Sequence, residues 1–145
     1  MKRLLFLAGL AALVALVVSA CATLTGSGGS TATKSEVPVN YQTINVTQLK
    51  AMMDNKDFVL VNVHIPYEGE IQRTDLFIPY DEIEKNLSKL PADKNAKIVV
   101  YCRSGRMSAI AAKTLTDLGY TNITDVAGGM FAWEMQGYPL VQTPQ

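Results

Sequence analysis

Two short, nearly unbroken apolar runs constrain this chain most: Phe58-Val59-Leu60-Val61-Asn62-Val63 and Lys97-Ile98-Val99-Val100-Tyr101. Neither alternates apolar with polar, so neither reads as a strand with one wet face. Such runs belong to strands covered on both sides, as in parallel sheets flanked by helices. The segments around them have a helical period. Asn45 can cap a helix starting at Val46, with Gln48 closing a capping box and Val46, Leu49, Met52 and Met53 on one face. Asp81 to Leu90 repeats Ile83, Leu87 and Leu90 behind an acidic start, and Met107 to Leu118 is helical with Gly119 at its C-terminal cap. Tyr41–Ile44, Asp75–Pro79 and Ile123–Val126 are short extended pieces, and Met130 to Gln136 is a short helix after Gly128-Gly129. His64 to Thr74 reads as a loop. The expected fold class is α/β, one compact domain over residues 39–145 with a mostly parallel sheet. Ligands bind such sheets outside the carboxyl ends of the strands.

The first 38 residues have a different composition. Lys2 and Arg3 precede an apolar run from Leu4 to Val18, 15 residues that reach roughly 22 Å as a helix, short of the roughly 30 Å of a bilayer core. Residues 1–20 therefore read as an export signal. Val18-Ser19-Ala20-Cys21 resembles the lipobox of bacterial lipoproteins. That resemblance implies cleavage before Cys21, lipidation of its sulfur and acylation of the new amino end, the several chains stable anchoring needs. Residues 21–38 form the lipidated cysteine and a Gly/Ser/Thr-rich tether. Localisation follows as an expectation: lipid-anchored in the cell envelope, outside the cytoplasm. With Ala22 rather than aspartate after the cysteine, the outer membrane facing the periplasm is favoured in a two-membrane cell.

The full chain has 13 Lys+Arg against 13 Asp+Glu. Loss of Lys2 and Arg3 with the signal leaves 11 against 13, a charge of −2. No basic excess points to nucleic acid. Of the two cysteines, Cys21 is assigned to lipid, so Cys102 is left as a single thiol without a disulfide partner. With one histidine and one available cysteine no zinc site is expected, and no other metal or cofactor is implied. A monomer is expected.

Cys102 ends a buried strand and precedes the polar turn Arg103-Ser104-Gly105-Arg106-Met107. Amides of such a turn, with the positive end of the following helix, can converge into an anion-binding cup. Gly105 supplies backbone freedom for it, and Arg103 and Arg106 add positive charge if they point inward. A thiol there is favoured as thiolate. Left to composition alone, a buried structural cysteine beside two solvated arginines is the competing reading.

Val99-Val100-Tyr101-Cys102-Arg103-Ser104-Gly105-Arg106 resembles the active-site loop of the rhodanese family, and Ala127-Gly128-Gly129-Met130-Phe131-Ala132-Trp133 resembles its closing Gly-Gly…Trp motif. The match spans about residues 41–140. It implies a five-stranded, mostly parallel sheet between helices and a sulfurtransferase activity. By that resemblance Cys102 takes sulfane sulfur from a small-molecule donor such as thiosulfate, becomes a persulfide, and passes the outer sulfur to a thiol or cyanide acceptor. The amides of residues 103–107 would stabilise the anions. Departures are Asn62-Val63-His64 for the family's usual Asp-Val-Arg, Gly69-Glu70-Ile71 for Gly-His-Ile, and Met107 where thiosulfate-preferring members carry a basic or hydroxyl residue. His64 and Arg73 are candidate pocket residues; the competing reading of His64 is a surface or hydrogen-bonding loop residue in place of a structural arginine. Glu68 and Glu70 could orient an arginine or fix the loop, and a solvated face is an equal reading.

Two other classes compete. A phosphatase or arsenate reductase also uses a thiolate in an anion cup, but the phosphatase signature needs arginine six residues after the cysteine, where Ser108 stands. A non-turnover persulfide carrier, redox sensor or docking module is the second.

Overall fold

The computed structural model describes residues 40–142. The signal, Cys21 and tether readings, at residues 1–38, lie outside the described residues. β1 (Gln42–Ile44), β2 (Val59–Asn62), β4 (Leu76–Phe77), β5 (Ile98–Tyr101) and β6 (Ile123–Val126) form one sheet in the order β1-β6-β5-β2-β4, with every pair parallel. β3 (Glu70–Ile71) and β7 (Leu140–Val141) make a separate antiparallel pair. The expected five-stranded sheet is thus present.

The two apolar runs occupy adjacent sheet positions, with Asn62 opposite Tyr101. Their side chains alternate between two cores. Val61, Val63, Ile98, Val100 and Cys102 pack with Ala111, Ala112 and Leu115 of α2 (Arg106–Asp117). Leu60, Val99 and Tyr101 pack on the other face with Val46 and Leu49 of α1 (Val46–Met52) and Met130 and Trp133 of α3 (Gly129–Met135). Burying an aliphatic side chain this fully stabilises by about 1.5–3 kcal/mol, which is why the runs tolerate so little polarity. The capping box forms as expected: Gln48 N–H donates to Asn45 Oδ1 and Asn45 N–H to Gln48 Oε1, both at 2.9 Å.

One expected helix is different. Residues 81–90 contain 3-10 turns over Glu84–Lys89 with a kink at Asn86 (φ −111°, ψ 19°), and no α-helix. Asn86 Nδ2 donates to the Glu82 carbonyl at 2.9 Å, taking an acceptor a helix would use. Pro91 then forces Leu90 extended (φ −86°, ψ 156°). Ile83 and Leu90 are buried nonetheless.

At the carboxyl edge of the sheet three segments meet. His64 follows β2, Cys102 follows β5, and Gly128-Gly129 follow β6.

Candidate functional site

Cys102 leaves β5 with 1% of its surface exposed. The turn after it is held by α3. Met130 N–H donates to the Cys102 carbonyl and Phe131 N–H to the Arg103 carbonyl, both at 2.9 Å. In a trans peptide the N–H points opposite to the C=O. Pulling these two carbonyls toward α3 therefore turns the Arg103 and Ser104 amides away from it. The close approach requires Gly129: a Cβ there would lie 2.0 Å from the Cys102 carbonyl oxygen, and its φ is +51°. This is the physical content of the Gly-Gly motif.

The rest of the cup comes from α2. Gly105, at φ +102°, is its N-cap, and its N–H donates to Cys102 Sγ at 3.1 Å. The first intrahelical bond runs from Ala109 N–H to the Gly105 carbonyl, so the amides of Arg106, Met107 and Ser108 precede it and are the helix's unsatisfied donors. Sulfur is a weak acceptor as a thiol and a good one as thiolate or persulfide. The arrangement suits an anion on or beyond Sγ. Beneath the loop, buried Ser108 donates its hydroxyl to the Gly105 carbonyl at 3.1 Å. Asp125 on β6 is buried too. Burial holds its carboxyl above the usual range, with the neighbouring Ser108 side chain and the Val126 backbone acting against that rise.

The side chains of the loop diverge from the inward arrangement. Ser104 and Arg106 are exposed. Met107 packs its side chain on the α2-side core, so only its amide serves the cup. Arg103 does not turn inward. Its Nε lies 3.5 Å from Glu68 Oε2 and its Nη1 3.2 Å from Glu134 Oε2. His64, 7% exposed, has Nε2 3.2 Å from the same Glu68 oxygen, close enough for an ion pair when protonated but not aligned as a hydrogen bond. His64 thus joins the rim through Glu68. Arg73 is a correction. Its guanidinium donates to the Met53 carbonyl, in a depression lined by Lys50, Met53, Asp54, Gln72 and Trp133 that includes no residue of the 102–107 loop. Its backbone is left-handed, with φ 66°.

Sequence reasoning missed three supports. Glu134 stands 31 positions from Arg103, with no local signal linking them. Tyr101, fully buried, accepts from Ile71 N–H at 3.0 Å and shares a 2.7 Å hydrogen bond with Thr74 Oγ1; its burial was legible, its hydroxyl partners were not. Asn62, where the family has aspartate, donates to the Gly69 carbonyl at 3.1 Å and accepts from His64 N–H at 3.0 Å, tying the loop back onto β2.

Comparison with known proteins agrees with this geometry. The rhodanese-like domain profile matches residues 45–136. The chain is 34% identical over 93 residues to a sulfurtransferase of Allochromatium vinosum, covering 62% of this chain and 84% of that one. It is 31% identical over 70 residues to the thiosulfate sulfurtransferase PspE of Escherichia coli, covering 47% and 67%. A crystal structure of a rhodanese-related protein from Thermoplasma volcanium superposes with a TM-score of 0.61 at 32% identity, covering 71% of this chain and all of that one. This chain belongs to the rhodanese-like family and is a homologue of its sulfurtransferases.

Proposed function

We propose that Cys102 carries sulfane sulfur between a small-molecule donor, such as thiosulfate, and a thiol or cyanide acceptor. The observation that carries this reading is the Gly105 N–H on Sγ at 3.1 Å, at the centre of a loop whose neighbouring carbonyls are turned away to α3. In the first half-reaction the Cys102 thiolate attacks the donor's sulfane sulfur. A Cys–S–S⁻ bond forms, the donor's S–S bond breaks, and sulfite leaves with the electron pair. In the second, the acceptor attacks the outer sulfur and Cys102 leaves as thiolate, so the cycle needs no external oxidant. Amides 103–108 stabilise the anion in each state by preorganised dipoles. The test is thiocyanate formation from thiosulfate and cyanide by the full chain. Turnover that disappears in Cys102→Ser supports the reading; turnover equal in both proteins contradicts it.

A reading without turnover has one observation in its favour, the near-complete burial of Cys102. It is distinguished by a persulfide that forms once and is not discharged by either acceptor.

The proposal extends to the amino end. The sequence Val18-Ser19-Ala20-Cys21 supports export and lipid anchoring at Cys21, with residues 39–145 carrying the sulfur chemistry outside the cytoplasm, at the periplasmic face of the outer membrane where one exists. Cys21→Ser should abolish labelling by a fatty-acid analogue and release the protein from the membrane fraction. Unchanged labelling would rule the anchor out.

A further inference from the structure

The rim of the cup carries carboxylates as well as arginines. Arg103 bridges Glu68, at 3.5 Å from Nε, and Glu134, at 3.2 Å from Nη1. Its fork is therefore directed along the rim rather than over Sγ. Arg106 is exposed and has no carboxylate partner among the described residues. Arg103 and Arg106 balance Glu68 and Glu134 in formal charge, with His64 Nε2 3.2 Å from Glu68; with the imidazole counted as neutral, the rim adds no net attraction for an anion beyond that of the loop amides.

A sulfane-sulfur donor reaches the buried Sγ with its sulfur end, and the rest of the donor lies outward at this rim. In thiosulfate that outer part is a charged sulfonate. In an alkyl persulfide it is a neutral group and the single charge sits on the sulfur that enters the amide cup; in a thiosulfonate one charge in total is shared between that sulfur and the sulfonyl oxygens. We infer that Glu68 and Glu134 are specificity-determining residues: by holding and neutralising Arg103 they favour monoanionic donors, organic persulfides or thiosulfonates, over dianionic thiosulfate. The inference rests on the sulfur-transfer reading above. For a thiosulfonate the step is attack of the Cys102 thiolate on the terminal sulfur. The new Cys–S–S⁻ bond forms as the S–SO₂R bond breaks, and a sulfinate, RSO₂⁻, leaves with the electron pair; one negative charge enters on each reactant and one remains on each product.

The test compares thiosulfate with methanethiosulfonate, which lacks one charge, in the full chain and in the Glu68→Gln/Glu134→Gln variant. Electrostatic energy scales with donor charge, so the factor gained by the dianion is the square of that gained by the monoanion. At low ionic strength kcat/KM should rise about tenfold for thiosulfate and about threefold for methanethiosulfonate. The gap should close at about 1 M salt, where the Debye length falls to about 3 Å. Each single variant should give an intermediate gain. Equal gains for both donors, no gain, or a loss confined to thiosulfate would overturn the assignment, the last because it would mean that the glutamates aim Arg103 at the donor. If the unaltered chain takes sulfur from neither donor, the sulfur-transfer reading falls and the inference with it; if transfer persists without the charge dependence, only the inference falls.

Discussion

The floor of the site and its rim are built by different means. The floor is backbone: carbonyls of Cys102 and Arg103 fixed by α3 amides, and the Gly105 amide fixed on Sγ. The rim is side chain: Arg103, Glu68 and Glu134, all 39–46% exposed, joined by ion pairs. Backbone hydrogen bonds that clamp the loop to α3 break only with the fold, whereas exposed ion pairs are worth about 0–1 kcal/mol and are screened by salt. On the proposed reading, sulfur transfer is tied to the fold, whereas donor preference varies with single substitutions at the surface.

Substitutions should separate the two regions. Gly129→Ala should have the largest effect. The added Cβ has no room beside the Cys102 carbonyl, so α3 and the loop must part. A loss on the order of 3 kcal/mol is expected in denaturant unfolding, together with loss of sulfur transfer. Retained stability and activity would mean that the loop does not depend on this contact.

Tyr101→Phe comes next. It leaves the buried Ile71 N–H without its hydroxyl partner, at a cost of about 1–3 kcal/mol. The chevron's unfolding limb or the equilibrium midpoint would reveal it, and an unchanged midpoint would show that another acceptor takes over.

A smaller effect should follow from Asp125, whose carboxyl is raised by burial. Its folded state binds a proton more tightly than the unfolded chain, so its contribution to stability is greatest below about pH 4 and falls as pH rises through the raised value. Asp125→Asn removes that fall. Its midpoint should improve relative to the parent as pH is taken from acid to neutral, and parallel curves would contradict the assignment.

Smallest on stability is the rim. Glu68→Gln/Glu134→Gln should move the unfolding free energy by no more than about 1 kcal/mol per pair while changing donor preference. A large loss of stability would show that the rim, too, is structural.

The same division explains what the sequence reveals. Runs of apolar residues, the Asn45–Gln48 box and the Cys102 loop are local patterns, and each was legible. The two-residue strands β3 and β7 are too short to show a period. The 81–90 segment carries the right apolar spacing, but a side-chain bond from Asn86 and the proline at 91 override it. The amide cup was foreseeable because a strand, a glycine turn and a helix dictate it. The direction of Arg103 was not, because it depends on Glu134, which the fold alone brings near. Arg73 likewise was not legible as a distant residue: it follows the 64–72 segment, whose start lies at the sheet's carboxyl edge beside Cys102, yet its guanidinium bonds the Met53 carbonyl.

The most direct measurement is the intact mass of the reduced full chain after exposure to thiosulfate or methanethiosulfonate, beside its Cys102→Ser variant. Gain of one sulfur atom in the parent alone, removed on adding cyanide with release of thiocyanate, is the expected result. No gain from either donor, or an equal gain in the variant, would contradict a sulfur-accepting role for Cys102.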